Sequence, residues 1–570
     1  MATYALVNEP LTTEVAVPED VGGEEPSSIT TPEKSGAEWG IALLVFAGSC
    51  LYLRLFYNYT ALFGDEGILL EGGQRILGGQ VLYRDFFSLV TPGSYYWMAL
   101  LFRIFGNSIL VARGTLLVYG GLFSVLAYLI SRRVCHRGVA LLGAYVTTIA
   151  CLPYWFVAVH NWDSTLLAFL ALYCGVRALE SRHSGWAAAT GSFAALTGLF
   201  EQSKGAGLVV GMALGLALIA WSRNRDRLNR CGLAALLVGF AWPIAVTFIY
   251  FGNQHSLRQM ITDWLWPLSH YSVVNRACYG DSGLTISALR ALLAGSWLNK
   301  LSMFFVVGPY FLVPALPILA IGFLGFWVGR LRPNRQTPDV ATYYVFVSAT
   351  LAGLLLSTLA TGRPDFAHLM FEAPLFLLVL TWGLNQRHLS SRFLHTTRPL
   401  VLAYIIASFT AFSMILLWPA LSADHILRTR RGVLKTRAAD AALDELDARV
   451  QEGQTIFVYP DQPLYYYLSG TRNPTKYEFL FPGMYTREQF EGAFRDVEFA
   501  RTPVVLFETT FIGRVPQAVS GTPIEVLAEK DPGADFILPR YRPCSALSAE
   551  PQKAAFVFMV RKGLGCAGPF

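Results

Sequence analysis

Charge is scarce in this chain of 570 residues: 15% are charged, against 54% hydrophobic and 14% aromatic. A soluble protein of this size carries roughly 25% charge. A soluble globular protein is therefore excluded, and repeated apolar runs of about 20 residues describe a polytopic membrane protein. The eight cysteines have no metal-type spacing. Cys50, Cys135, Cys151, Cys174 and Cys231 sit in or beside apolar runs, and Cys278, Cys544 and Cys566 do not. A Walker loop, zinc-ligand spacing and a dinucleotide fingerprint in context are all missing. So is a broad basic patch: the arginines form short loops between apolar runs, which argues against a nucleic-acid partner. No internal repeat is visible either.

What is present is ordered along the chain. Residues 1–37 are rich in Glu, Pro, Ser and Thr without apolar periodicity, and read as a disordered cytoplasmic tail. The first apolar run, 38–57, lies too far in and follows too acidic a segment for a cleaved signal, so it is read as a retained span. Between it and the next full run, 109–131, lies a first outer loop, 58–108, where carboxylates concentrate. Asp65 and Glu66 stand in the stretch Gly64-Asp65-Glu66-Gly67, read as a turn whose glycines keep the acids accessible. Residues 66–77 read as an amphipathic helix, with Ile68, Leu69, Leu70, Ile76 and Leu77 on one arc and Glu71, Gln74 and Arg75 on the other. Such a helix lies in a membrane surface. The Pro92–Gly106 piece is short for a crossing and contains Arg103, and reads as a second interfacial helix.

Arginine parity orders the rest. Cytoplasmic loops collect Lys and Arg. With the N-terminus inside, runs near 38–57, 109–131, 138–158, 164–179, 186–200, 205–221, 232–252, 301–329, 341–361, 369–384 and 399–420 then make about 11 crossings. Residues 38–422 form the membrane domain and 423–570 an extracytoplasmic domain. In that last part Ala438–Val450 and Thr486–Phe499 read as helices, and Thr455–Tyr459, Val504–Glu508 and Ala555–Arg561 as strands, an α/β alternation. Cys544 and Cys566 lie in it, paired if the compartment is oxidising and otherwise two thiols. Tyr465, Tyr466 and Tyr467 are either stacking groups for a glycan or core.

The topology puts Asp65, Glu66, Glu71, Arg84, Asp85, His160, Asp163, Glu201, Lys204, Asp263, His270, Arg363, Asp365 and His368 near the outer face. Ionisable groups near a bilayer tend to face cavities or each other. A cavity with carboxylates and cations suits an anionic lipid-linked substrate. Cations hold a phosphate, and a carboxylate takes a proton from an attacking hydroxyl. The bland reading stands beside this: Lys204 only reaches up to headgroups, Asp365 only pairs with Arg363, and the histidines are surface groups. The carboxylates also offer a seat for a divalent cation, though no ligand spacing compels one.

Residues 64–106 carry a resemblance. Gly64-Asp65-Glu66-Gly67, Gly73-Gln74-Arg75-Ile76-Leu77, Tyr83-Arg84-Asp85-Phe86 and the Pro92–Gly106 piece resemble the first outer loop of multi-span GT-C glycosyltransferases. The likeness is to bacterial members related to protein O-mannosyltransferases and lipid A aminoarabinose transferases, the family 39 type. The resemblance implies transfer of a hexosyl or pentosyl group from a polyprenyl-phosphate donor to a glycan, lipid or protein acceptor. Transfer would occur with inversion, on the outer side of the plasma membrane. It implies Asp65 as catalytic base with Glu66 beside it. Gln202-Ser203-Lys204-Gly205 resembles a Lys-containing element at the outer end of a middle span, and Arg363–His368 a late outer motif. With these, Arg84, Asp85, His160, Asp163, Lys204, Arg363, Asp365 and His368 are the candidate substrate-binding residues. Two departures stand out. Val90-Thr91-Pro92-Gly93 replaces the usual Pro-Pro or Lys-Pro-Pro. No Trp-Trp-Asp signature is present, which argues against an oligosaccharyltransferase. The alternative of another class is a non-catalytic lipid or glycan transporter, or an envelope-assembly scaffold. A transporter more often carries intramembrane charges, broken helices or repeats.

Overall fold

The computed structural model describes residues 36–222, 230–271, 275–283, 290, 294–331, 339–385, 392–508, 531–547 and 556–570. Residues 1–35 of the expected tail and Arg223, Arg225, Arg227, Arg332, Arg335 and Arg387 of the inner loops lie outside the described residues.

Helices fill the first three quarters of the chain. They are α1 (Gly36–Leu53), α2 (Gly64–Leu77), α3 (Gly93–Phe105), α4 (Ile109–Ser131), α5 (Arg137–Val146) and α6 (Leu152–Tyr154). Next come α7 (His160–Ser181), α8 (Ser184–Phe200), α9 (Gln202–Trp221), α10 (Arg230–Asn253) and α11 (Leu257–Ser269). Then follow α12 (Trp297–Val306), α13 (Gly308–Val328), α14 (Asp339–Ala360), α15 (Phe366–Asn385) and α16 (Arg392–Leu421). Among the described residues, nine helical stretches are long and apolar enough to cross a membrane: α1, α4, α7, α9, α10, the α12–α13 run, α14, α15 and α16. Two further stretches fill the places of the other two expected crossings. One is the 17-residue α8. The other is α5–α6, joined through a π turn at Thr147–Cys151, where the Thr147 hydroxyl donates back to the Gly143 carbonyl at 2.8 Å. Small residues let these helices approach closely. A Cβ on Gly207 of α9 would lie 2.4 Å from the Gly353 carbonyl oxygen of α14. Helix association inside a bilayer depends on such packing.

Strands follow α16. A hairpin, β1 (His425–Thr429) and β2 (Gly432–Thr436), precedes α17 (Ala441–Arg449), β3 (Ile456–Tyr459), α18 (Leu464–Leu468) and α19 (Arg487–Phe499). After it come β4 (Val504–Glu508), α20 (Pro532–Arg540), β5 (Tyr541–Leu547) and β6 (Phe556–Arg561). The four-stranded sheet runs β3-β4-β6-β5, with β3 and β4 parallel and the other pairs antiparallel. Cys544 and Cys566 are disulfide-bonded, tying β5 to the chain after β6. Tyr465, Tyr466 and Tyr467 are all buried and belong to the core.

The polar arc of α2 departs from the sequence reading. Glu71 is buried, and Arg75 donates to the Thr475 carbonyl at 3.2 Å while its guanidinium lies 4.5 Å over the Phe86 ring. That arc is covered by the C-terminal α/β domain, not solvated. The reason is a shared core: Leu69 and Leu70 of α2, Tyr95 and Phe102 of α3, Leu434, Leu443, Tyr466 and Leu506 pack as one cluster. Backbone bonds add to it: Thr60 donates to the Lys435 carbonyl at 2.9 Å and Lys435 to the Asn58 carbonyl at 2.7 Å. The first loop and the last domain are thus one packed layer on one end of the helix bundle.

Candidate active site

The site begins where α2 begins. Phe63 gives α2 no side-chain cap, and Asp65 and Glu66 fall in its first turn, where the helix dipole favours negative charge. Gly64 and Gly67 are helical here, not turn residues. Gly67 is required for a different reason: a Cβ there would sit 2.0 Å from the Leu464 backbone nitrogen of α18. The α/β domain rests on the first loop at that point.

Successive residues on a helix point about 100° apart, and the two acids part accordingly. Glu66 is fully buried. Its Oε1 accepts from Arg113 Nε at 3.0 Å and from the Ala158 N–H at 3.1 Å, and its Oε2 accepts from Arg113 Nη2 at 2.5 Å. Arg113 also donates to the Tyr59 carbonyl. A fully buried carboxylate that already accepts three hydrogen bonds is tied to the protein, which sets Glu66 apart from its neighbour Asp65. Asp65 is exposed instead. Burial pushes its pKa up, while the charges of His368 and Arg363 pull it back down.

Those two side chains come from the turn between α14 and α15 and from the start of α15. Asp365 organises them. Its Oδ2 accepts from Arg363 Nε at 2.8 Å, and its Oδ1 from the His368 N–H at 3.1 Å and ring Nδ1 at 2.9 Å. Burial works against the charged form of Asp365, but His368 and Arg363 outweigh it and hold its pKa down to about 2. Arg363 Nη1 donates to Asn275 Oδ1. Tyr271 completes this wall, with its pKa raised mainly by burial and further by the charges of Asp65 and Asp365.

A third wall is the α7 and α9 N-termini. Lys204 is 2% exposed, and its ammonium donates to the Asn161 carbonyl (3.1 Å), Ser164 Oγ (2.9 Å) and Thr165 Oγ1 (3.0 Å), with Glu201 Oε2 at 2.9 Å. Those partners fill its three donors. Glu201 is pressed toward the neutral form by burial, but the charges of Lys204 and His160 win and hold it at about 2. A polar recess of about 20 Å³, bordered by Lys204, Glu201, His368, Thr358 and Glu372, is large enough for one water. Asp163 is buried away from it, accepting from the Tyr119 hydroxyl at 2.8 Å, which itself accepts from Trp97 Nε1 at 2.8 Å.

Of the expected residues, Lys204 and His368 border the recess, as does Glu201, while His160 lies within electrostatic reach of Glu201 and His368, and Asp65 within that of His368 and Arg363. Other expected residues fall elsewhere. Arg84 and Asp85 close on each other (2.9 Å), with Arg84 also reaching Gln254 Oε1 at 3.1 Å. Asp263 is buried on α11, accepting from Gln259 at 2.7 Å, and burial pushes it up to about 7. His270 stacks on Trp266, ring centroids 4.8 Å apart. Sequence reasoning passed over Arg113, Tyr271 and Asn275, and also Asp461 and Gln462, whose side chains reach within 3.4 Å of a Cβ built on Gly64. A lone arginine inside the apolar 109–131 run was a signal, since such a charge needs a partner. The other four carry no sequence signal. Among the described residues no group of three or more His, Cys, Asp or Glu is placed to hold a metal ion.

A family model described as dolichyl-phosphate-mannose-protein mannosyltransferase matches residues 90–251, well under half of the chain. That match bears out the GT-C superfamily resemblance drawn from the first outer loop. No curated protein matches the chain. Among solved structures, ArnT from Cupriavidus metallidurans bound to undecaprenyl phosphate is similar at 15% identity and TM-score 0.43, over 94% of this chain and 99% of that one. The Archaeoglobus fulgidus oligosaccharyltransferase tethered with an acceptor peptide is similar at 12% identity and TM-score 0.47, over 90% of this chain and 74% of that one.

Proposed function

We propose that the protein is an inverting glycosyltransferase. It moves a sugar from a polyprenyl-phosphate-linked donor to a hydroxyl of a glycan, lipid or protein acceptor at the outer face of the plasma membrane. The orientation rests on arginine parity: the N-terminus is cytoplasmic, and the α/β domain and the recess beneath it are extracytoplasmic. One observation carries the reading. Asp65 is exposed and within electrostatic reach of Arg363 and His368, while Glu66 next to it is buried and bonded to Arg113.

The reaction needs an acceptor oxygen made nucleophilic and a leaving phosphate stabilised. The acceptor oxygen attacks the anomeric carbon from the face opposite the phosphate. A carbon–oxygen bond forms to the acceptor, the one to the phosphate breaks, and the phosphate leaves with the electron pair. Asp65 takes the acceptor proton. Arg363 meets the charge that builds on the phosphate. Its Nε is held by Asp365 and its Nη1 by Asn275, so the guanidinium is fixed in place with Nη2 left to donate. His368 is held beside Arg363 by the same Asp365 carboxylate. Lys204 and Glu201 fix the helix ends that frame the recess.

The test is mass spectrometry of products after purified protein is incubated with a panel of polyprenyl-phosphate sugars and an envelope extract. A sugar-modified acceptor and released polyprenyl phosphate are expected, and neither with Asp65→Asn. A transporter or scaffold forms no product from any donor.

A further inference from the structure

A second cavity lies at the opposite end of the helices that frame the recess. The recess is lined by the first residues of α7 and α9, whereas this groove is lined by the last turns of α7, the middle of α9, the first half of α8 and the start of α10. Its volume is about 420 Å³, within the range of about 300–1,000 Å³ typical of small-molecule pockets. The walls are apolar and small, with Ala178, Ala187, Ala194, Ala213 and Leu216 among them. Ala213, Leu233 and Leu237 are exposed, so the groove opens sideways between α9 and α10, where hydrocarbon surrounds the bundle. One end of it is basic. Arg182 and His183, between α7 and α8, both line the cavity. The Nδ1 of His183 accepts the Gly185 N–H at 3.1 Å, which leaves the proton of the neutral ring on Nε2 as a donor.

We propose that this groove is a binding site for an anionic phospholipid of the arginine-rich leaflet, with an acyl chain along the groove and the phosphate at Arg182 and His183. Charge complementarity selects the occupant: a planar guanidinium matches a phosphate group, and a neutral hydrocarbon filler would need no basic end. Polyprenyl phosphate is the wrong occupant on the same ground. Under the proposed function its phosphate sits at Arg363, near the far end of α7 and α9, and its tail brings no charge to Arg182. The phospholipid site itself does not depend on the transfer reaction.

The test is native mass spectrometry of the full chain in detergent, titrated with phosphatidylglycerol, phosphatidylcholine of the same acyl chains, or undecaprenyl phosphate. The wild type is expected to hold phosphatidylglycerol about tenfold more tightly than phosphatidylcholine. Arg182→Gly is expected to erase that preference. The backbone at Arg182 is left-handed, with φ 56°, so glycine removes the guanidinium without strain. Ala213→Phe, or Leu237→Trp should the first fold poorly, fills the exposed side of the groove and is expected to weaken both phospholipids together. Equal retention of the two phospholipids by the wild type overturns the site. So does a preference that survives Arg182→Gly. Undecaprenyl phosphate displacing phosphatidylglycerol in the wild type but not in Ala213→Phe overturns it in favour of a donor-tail groove.

Discussion

Glu66 and Arg113 close a bidentate ion pair whose two side chains are fully buried, at 3.0 Å from Nε to Oε1 and 2.5 Å from Nη2 to Oε2. The pair fastens the first turn of α2 to α4 and so fixes where Asp65 stands. Removing one partner leaves the other charge buried and unpaired, at a cost of about 3–5 kcal/mol. Glu66→Gln should therefore lower the melting temperature in detergent sharply. Glu66→Gln combined with Arg113→Met should recover part of the loss, because neither member then carries an uncompensated charge. A double variant no better than the single one would mean the pair is not what holds this corner.

Lys204 and Arg363 are both cations near the recess, and their surroundings predict opposite phenotypes. The ammonium of Lys204 is saturated by Asn161, Ser164, Thr165 and Glu201. Lys204→Met should cost stability, read by thermal unfolding, with donor affinity nearly unchanged in the folded fraction. Arg363 keeps Nη2 for a ligand. A charge-assisted contact is worth about 1.5–3 kcal/mol, so Arg363→Ala should raise the donor KM by roughly 10- to 100-fold and change kcat less. Equal effects on donor KM from both variants would contradict the assignment.

The contrast between these residues also marks how far the sequence could be read. The spans were legible, since apolar runs bounded by arginines carry both length and direction; even α8 and the broken α5–α6 stretch fall where parity asked for crossings. The two short helices of the first loop were legible from their length and periodicity. What α2 packs against was not. Its polar arc looks solvated by periodicity, and only the fold shows that the α/β domain covers it. Asp65 and Glu66 are equivalent by composition and neighbours; their separation depends on Arg113, a residue 47 positions away in the chain from Glu66. Likewise Arg84–Asp85 reads as a binding pair until it is seen to close on itself. Sequence patterns report burial along one element, whereas partner choice comes from elements meeting in space.

The acid limb of turnover should lie high for a carboxylate. Burial raises the pKa of Asp65, and Arg363 and His368 only partly offset it. The active form is the deprotonated one, so kcat should fall as pH drops through a value above the ordinary aspartate range of about 3.9. Arg363→Gln removes a charge that favours the carboxylate, and should move that limb to still higher pH when kcat is measured at saturating donor. A limb that stays put or moves down would separate the titrating group from Asp65.

The Cys544–Cys566 bond closes a loop of sequence separation 22 at the edge of the sheet. Such a cross-link is typically worth about 3 kcal/mol. Replacing both cysteines by serine should lower the unfolding temperature of the α/β domain, and reductant should do the same to the wild type but not to the variant. An unfolding temperature insensitive to reductant would show the bond to be unimportant for the domain.

In the proposed reaction Asp65 is the group that takes the acceptor proton. The direct measurement is single-turnover sugar transfer by Asp65→Asn, alongside binding of the polyprenyl-phosphate donor to the same preparation. Asparagine keeps the shape and the hydrogen bonding but cannot accept the proton. Loss of about a hundredfold or more in the transfer rate, with donor binding within a few-fold of wild type, is the predicted result. Near-wild-type transfer by Asp65→Asn would contradict the account and return Asp65 to a structural residue at the head of α2.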